Sequence, residues 1–105
     1  MARNPRQLEW APKARRDLLD IWHYFADTAS PDVADKLLRN IERASVRLSD
    51  HPMSGRPREE ISTGLRSLLV HPYVIVYRVM DSTVEISRVL HERRDVAAAF
   101  DERDR

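Results

Sequence analysis

The stretch LRSLLVHPYVIVYRVMDSTVEISRVL, residues 65–90, decides the fold. Its composition predicts a meander of three strands joined by two tight turns. The strands are 65–70, 73–80 and 83–90, and the turns are His71-Pro72 and Asp81-Ser82. In the last strand, Val84, Ile86 and Arg88 share one face and alternate with the residues between them, the period of two expected of a half-buried strand. Because each turn reverses the chain, the three strands should be antiparallel neighbours.

Two amphipathic helices are predicted upstream of the meander. The first begins at Pro12 and ends near Ala29, and the second follows the start signal Ser30-Pro31-Asp32 and ends near Ser49. Apolar residues spaced at i, i+3, i+4 and i+7 form one stripe on each helix. On the first helix they are Leu18, Ile21, Trp22 and Phe25; on the second they are Ala34, Leu37, Leu38, Ile41, Ala44 and Leu48. Because the link between the helices is very short, we expect an antiparallel helical hairpin.

The remaining segments complete an α+β architecture. Residues 7–10 alternate as a short N-terminal strand, and Asp95 is a suitable N-cap for a short C-terminal helix over 95–103. Residues 52–64 should form a structured loop with a helical turn at 58–62, and Gly55 and Gly64 should supply positive φ. The sequence therefore predicts a helical hairpin on one face of an antiparallel sheet, which consists of the meander and the N-terminal strand, with the other face partly open.

Composition bounds the class of protein. The 105 residues suit one domain, 1–105, and carry a net charge of +1. Residues 1–52 contain nine basic and eight acidic residues, and residues 53–105 contain nine of each, so any basic site must be a local patch. Cysteine is absent, and no apolar run approaches the roughly 20 residues of a membrane span. We expect a cytoplasmic protein without a membrane segment, metal or cofactor; the four histidines have no helical i, i+4 pairing.

An ordered set of motifs carries a family resemblance over roughly residues 8–100. The set comprises LLDIWHYFAD, LSDHP, MSGRPRE, GLRSL, YVIVYRV and VEISRVLHERRD. Together they resemble the toxins of type II toxin–antitoxin modules that include ParE and RelE, with more of the ParE character. The resemblance implies a small bacterial toxin that is neutralised by a cognate ParD-like antitoxin and reaches operator DNA through it. ParE-type members inhibit DNA gyrase, whereas RelE-type members cut mRNA in the ribosomal A site.

The gyrase interpretation requires a protein-binding surface and no catalysis of its own. Arginine and aromatic residues are the types enriched at such surfaces. The candidates for contact with the target or the antitoxin are Arg56, Arg58, Arg66, Tyr77, Arg78, His91, Arg93 and Arg94. Structural roles are the alternative: Arg66 could pair with Glu85 or Asp95, and His91 could cap the strand end.

The ribonuclease interpretation requires a base, cations for the phosphorane charge and an acid. Resemblance to RelE-type nucleases assigns these roles to Arg66, His91 and Glu59, with Glu60 as a substitute. Glu92 stands where an aromatic residue is expected, and residues 53–105 contain no Lys. Both features disfavour RNA cleavage. A third hypothesis is an inactive toxin that acts only as a corepressor with its antitoxin.

Overall fold

The computed structural model describes residues 6–100. The elements, in chain order, are β1 (Gln7–Trp10), α1 (Pro12–Thr28), α2 (Pro31–Asp50), β2 (Arg56–Pro57), β3 (Leu65–Val70), β4 (Tyr73–Val79), β5 (Thr83–His91) and α3 (Val96–Ala99), with a 3-10 turn at Pro52–Ser54 before β2. Ser30 caps α2 as predicted, since its side chain accepts a hydrogen bond from Val33 N–H at 3.1 Å. Asp95 likewise accepts from Ala98 N–H. Helix α3 ends at Ala99, and the remainder of the predicted helix, 101–103, lies outside the described residues.

The sheet has five strands in the order β1-β5-β4-β3-β2, and the α+β class is confirmed. Strands β3, β4 and β5 form the expected antiparallel meander. Strand β1 pairs with β5 in parallel, with Gln7 opposite Thr83, so the sheet is mixed and not wholly antiparallel. The alternation of residues 7–10 shows which side chains share a face, but not which strand lies beside β1. The sequence therefore does not determine whether β1 pairs in parallel or antiparallel. Strand β2, which the sequence analysis missed, has only two residues.

The helical hairpin covers one face of the sheet and forms the main core there. Its central residues include Ile41 and Leu48 of α2, packed against Ile75 and Tyr77 of β4. Trp22, which belongs to the predicted apolar stripe of α1, is half-buried, and its Nε1 donates to Asp35 Oδ1 at 2.8 Å, which links α1 to α2. The face is closed because the apolar stripes of both helices point toward the sheet.

A β-bulge breaks the predicted alternation of β5. Val76 lies opposite Arg88 but Tyr77 lies opposite Ile86, so Ser87 is an extra residue. Val89 therefore joins Ile86 in the main core, and the prediction that the two residues face opposite sides is wrong. The alternation of apolar and polar residues in the sequence does not reveal Ser87 as an extra residue, because both apolar and polar residues lie on either side of it.

A smaller cluster partly covers the other sheet face. Val96 and Ala99 of α3 pack against Leu65, Val76 and Leu90 of three adjacent strands. This agrees with a face that is only partly open. Within residues 6–100, no helix is long and apolar enough to cross a membrane.

The predicted helical turn at 58–62 is a single turn in which Ile61 N–H and Ser62 N–H both donate to Arg58 O, at 3.0 and 3.3 Å. Gly64 has the expected positive φ of 77°. Gly55 does not: its φ is −80°, and the reason for glycine there is space.

Candidate functional site

A buried tyrosine holds the loop 52–58 that carries two of the predicted arginines. Tyr77 is fully buried, and its hydroxyl accepts from Gly55 N–H at 2.8 Å and donates to Pro52 O at 2.7 Å. Burial raises the pKa of Tyr77, against smaller opposing effects of the Gly55 hydrogen bond and the Arg66 charge. Tyr77 was predicted as a surface anchor. That placement is corrected: Tyr77 follows the regular alternation of β4, which puts it on the core face together with Tyr73 and Ile75.

Arg66 supports the same loop from the neighbouring strand. Its guanidinium donates to Gly55 O at 2.5 Å and lies 3.4 Å from Met53 O. Arg66 and Tyr77 are register partners, so their side chains leave the sheet on one side. The expected pairing of Arg66 with Glu85 or Asp95 is wrong, because the loop carbonyls lie within its reach instead.

Arg58 and Arg78 lie toward the other sheet face. Arg58 contacts Glu60 at 2.8 Å and Ser67 Oγ at 3.4 Å, and its hydrogen bond lowers the pKa of Glu60. Arg78 donates to Ser62 Oγ at 2.6 Å. Both side chains therefore brace the segment 58–65, which limits how far either can reach toward a partner.

The segment after β5 forms a separate basic group. His91 Nδ1 accepts from Arg93 N–H at 3.2 Å, and the imidazole packs edge-on against Tyr73 with ring centroids 5.5 Å apart. His91 thus caps the turn at the end of β5, which is the structural role that the sequence analysis gave as the alternative to a binding role. Arg93 and Arg94 are exposed beside it. Glu92 belongs to the same turn, and its carboxylate lies 2.7 Å from His71 Nδ1.

The sheet register keeps Arg66 and His91 apart. Arg66 lies opposite Tyr77, whereas His91 lies opposite Tyr73 on the same strand, β4. Four residues along a strand span roughly 13 Å at about 3.3 Å per residue. Glu59 is engaged elsewhere, since its carboxylate accepts from Gly64 N–H at 2.7 Å. The three residues of the ribonuclease hypothesis are therefore not brought together.

The outer face of α2 is a third charged surface, which the sequence analysis did not select. Arg39, Arg43 and Arg47 are spaced four residues apart, so they share one face, and all three are exposed. Together with Glu42 and Val46 they line a depression of about 480 Å³. The spacing alone could have identified this stripe.

An apolar groove adjoins the arginine stripe. It has a volume of about 290 Å³ and runs between β1 and the helical hairpin. Leu8, Trp10 and Leu18 line it, with Arg15 and the residues Glu42 and Val46 that it shares with the stripe. The apolar and the basic surface are therefore continuous.

Polar ligands for a metal are not grouped in the described part of the chain. Among residues 6–100, no three His, Cys, Asp or Glu side chains are arranged to hold a metal ion.

Asp17 on α1 makes several hydrogen bonds to β5. Its carboxylate accepts two from Arg88, at 2.8 and 3.0 Å, and one from Val89 N–H at 2.9 Å. This contact joins α1 to the bulge of β5 and was not predicted.

Comparison with known proteins places this arrangement among toxins. The sequence model of a family described as the ParE toxin of the type II toxin–antitoxin system parDE matches residues 8–96. The chain is 36% identical over 87 residues to Toxin ParE1 of Mycobacterium tuberculosis, which covers 82% of this chain and 89% of that protein. It is 36% identical over 90 residues to Toxin RelE2 of Caulobacter vibrioides, covering 84% and 97%. The solved chromosomal ParDE system from P. aeruginosa is similar with a TM-score of 0.72 and 28% identity, covering 82% and 95% of the two chains.

Proposed function

The chain belongs to the ParE toxin family of type II toxin–antitoxin systems, and we propose that it acts in the cytoplasm as an inhibitor of DNA gyrase. The proposal assigns no catalysis to the chain itself. It assigns target binding to exposed arginines at two places. Arg56 lies on the edge strand β2, and Arg93 and Arg94 lie in the turn after β5. Arginine suits this role because its planar guanidinium makes bidentate contacts with carboxylates and phosphates.

The observation that carries the proposal is the separation of Arg66 from His91. General acid–base chemistry requires the proton-transfer groups within hydrogen-bond reach of one substrate. The register places them roughly 13 Å apart along the sheet, as estimated from about 3.3 Å per residue. Both side chains also bind backbone groups: Arg66 donates to Gly55 O of the loop 52–58, and His91 accepts from Arg93 N–H of its own turn. This geometry favours a binding surface over a nuclease site.

The same family membership supports a cognate antitoxin as partner. The solved relative is a ParDE toxin–antitoxin system. We propose that a ParD-like antitoxin lays an amphipathic segment into the groove of Leu8, Trp10 and Leu18, and that acidic residues on it meet the arginine stripe of α2. The toxin would then reach operator DNA only through the antitoxin.

Gyrase inhibition is tested with the purified chain, free of antitoxin. We expect it to inhibit gyrase-dependent supercoiling and to accumulate cleaved DNA, and we expect a DNA-damage response in cells that express it. Replacing both Arg93 and Arg94 by Ala should weaken target binding by roughly 1–3 kcal/mol per side chain if they are anchors. His91→Ala should have a much smaller effect, because no proton transfer is assigned to it.

The second candidate is ribosome-dependent mRNA cleavage, which the similarity to a protein named Toxin RelE2 keeps open. If His91→Ala abolished toxicity and transcripts on programmed ribosomes were cut at A-site codons, this candidate would replace gyrase inhibition. The corepressor hypothesis has a simpler test. Normal growth during expression of the chain alone, with intact antitoxin binding, would support it.

A further inference from the structure

We infer that Tyr77 and Arg66 are positioning residues that hold the loop 52–58 as a preformed binding element, and that Met53 and Arg56 on this loop contact the toxin's protein target. The inference deepens the proposed function and rests on it. It adds Met53 to the proposed contact around Arg56 and specifies how the fold prepares that part of the target-binding surface. The partner is a protein that presents a carboxylate beside an apolar contact area.

Two side chains hold the loop through hydrogen bonds to its backbone. The Tyr77 hydroxyl satisfies Gly55 N–H and Pro52 O together, from inside the core. Arg66 donates to Gly55 O and lies near Met53 O. Backbone groups of Pro52, Met53 and Gly55 are thus held by two side chains from adjacent strands. The two hydrogen bonds of the Tyr77 hydroxyl are buried, so they would be costly to leave unmade.

Gly55 shows how closely the loop is fitted to the sheet. A Cβ at this position would lie 2.4 Å from Tyr77 Oη and 2.8 Å from Ser67 O. Real Cβ atoms do not approach other atoms this closely, so with any larger residue either the loop or the groups of Tyr77 and Ser67 would have to shift. Close packing of this kind fixes one conformation, because a displaced loop loses all the hydrogen bonds at once.

The rigid loop presents side chains that have no structural task of their own. Met53 is 61% exposed. Arg56 is exposed, and among residues 6–100 its side chain has no hydrogen bond or ion pair. Leu69, 58% exposed, lies two residues along β3 from Ser67, the register partner of Arg56, and so faces the same side.

These exposed groups define the chemistry of the partner. Met53 offers an adaptable apolar contact, and Arg56 offers a forked donor for a carboxylate. A loop that is already ordered loses little conformational entropy on binding, which raises affinity without adding contacts. This explains why buried polar side chains are placed beneath a short surface loop.

The test compares four variants for gyrase inhibition, growth arrest on expression, and antitoxin affinity. Met53→Ala and Arg56→Ala should each raise the concentration needed for inhibition by roughly fivefold or more, with unchanged melting temperature and antitoxin affinity. Leu19→Ala and Arg16→Ala are the matched controls, since both residues are exposed on α1. They should behave as the unmodified chain.

Tyr77→Phe tests the positioning role directly. It removes both hydrogen bonds of the hydroxyl, so the Gly55 amide should exchange hydrogen faster, and inhibition should weaken roughly tenfold while antitoxin affinity stays unchanged. In this background, adding Met53→Ala should have a smaller effect than in the unmodified chain, because the loop is no longer held. Val84→Ala, a core change on the β1 side of the sheet, supplies the comparison for lost stability.

Each outcome decides one point. If Tyr77→Phe weakens inhibition no more than a Val84→Ala variant of equal melting temperature, the positioning role is wrong. If Met53→Ala and Arg56→Ala inhibit like the unmodified chain, the loop is not the contact surface. If gyrase is unaffected by the unmodified chain but growth arrest still depends on Met53 and Arg56, the proposed target is wrong and the loop inference stands. A chain that neither inhibits gyrase nor arrests growth overturns both.

Discussion

Gly55 and Gly64 bound the same irregular segment but serve different physical needs. Gly64 adopts a φ of 77°, a conformation that costs other residues energy because of their Cβ. Gly55 has ordinary extended geometry, and its lack of a side chain lets Tyr77 reach the backbone. Sequence reasoning assigned positive φ to both. It could not separate them, because the closeness of Tyr77 depends on a strand 22 residues away in the chain.

The two glycines should therefore respond differently to alanine. Gly55→Ala should lower the free energy of unfolding by roughly 1–3 kcal/mol, since the added methyl group overpacks a filled site. Gly64→Ala should cost about 1 kcal/mol, since only backbone strain is introduced and the nearest atom beyond its chain neighbours is 4.0 Å away. Urea denaturation of both variants measures this. Equal losses would mean that the crowding at Gly55 is relieved by a small shift.

At the scale of elements, one contact fixes how α1 crosses the sheet. The bulge in β5 directs Arg88 and the Val89 amide to one carboxylate, that of Asp17. Both side chains are nearly buried, at 12% and 13% exposure. Removing Asp17 would take two hydrogen bonds from Arg88 and leave the Val89 N–H without its acceptor, which is costly where the groups are mostly buried.

Asp17→Ala should accordingly destabilise the fold by roughly 3–5 kcal/mol. Asp20→Ala is the matched control on the same helix: Asp20 is exposed, and its change should stay within about 0.5 kcal/mol. Thermal or chemical denaturation of the two variants gives the comparison. A loss at Asp17 no larger than that at Asp20 would show that solvent screens the pair despite its burial.

In the whole molecule, the surface proposed for antitoxin binding and the loop proposed for target binding lie in different places. The apolar groove lies between β1 and the helical hairpin and adjoins the arginine stripe. The loop of Met53 and Arg56 includes the 3-10 turn before β2 and β2 itself, which is at the opposite edge of the sheet from β1. With a net charge of +1, the chain has no general attraction for polyanions, so each basic surface acts locally. We therefore expect that antitoxin binding and target binding can be altered independently.

Reversing charge on α2 tests that independence. Arg39→Glu combined with Arg43→Glu should weaken antitoxin binding by roughly tenfold or more, with a smaller loss at high salt, and leave gyrase inhibition unchanged. The charge-preserving pair Arg39→Lys and Arg43→Lys should retain most of the affinity. Titration calorimetry at two salt concentrations measures both pairs. Unchanged affinity in the reversed pair would exclude the stripe from the antitoxin interface.

The sequence by itself determined the local structure and the family. Periodicity and capping signals predicted β1, α1, α2 and the meander within a residue or two, because these depend on neighbours at most a few positions away. The ordered motifs predicted the toxin family that the comparisons then established.

Only the tertiary structure decided where the candidate residues lie relative to one another. It placed Tyr77 in the core, paired Asp17 with Arg88, and separated Arg66 from His91. These facts depend on strand register, on a one-residue bulge and on the parallel pairing of β1 with β5. The local pattern and the turns were enough to predict the meander, but the neighbour of β1 and the extra residue of the bulge arise from contacts between residues far apart in the chain.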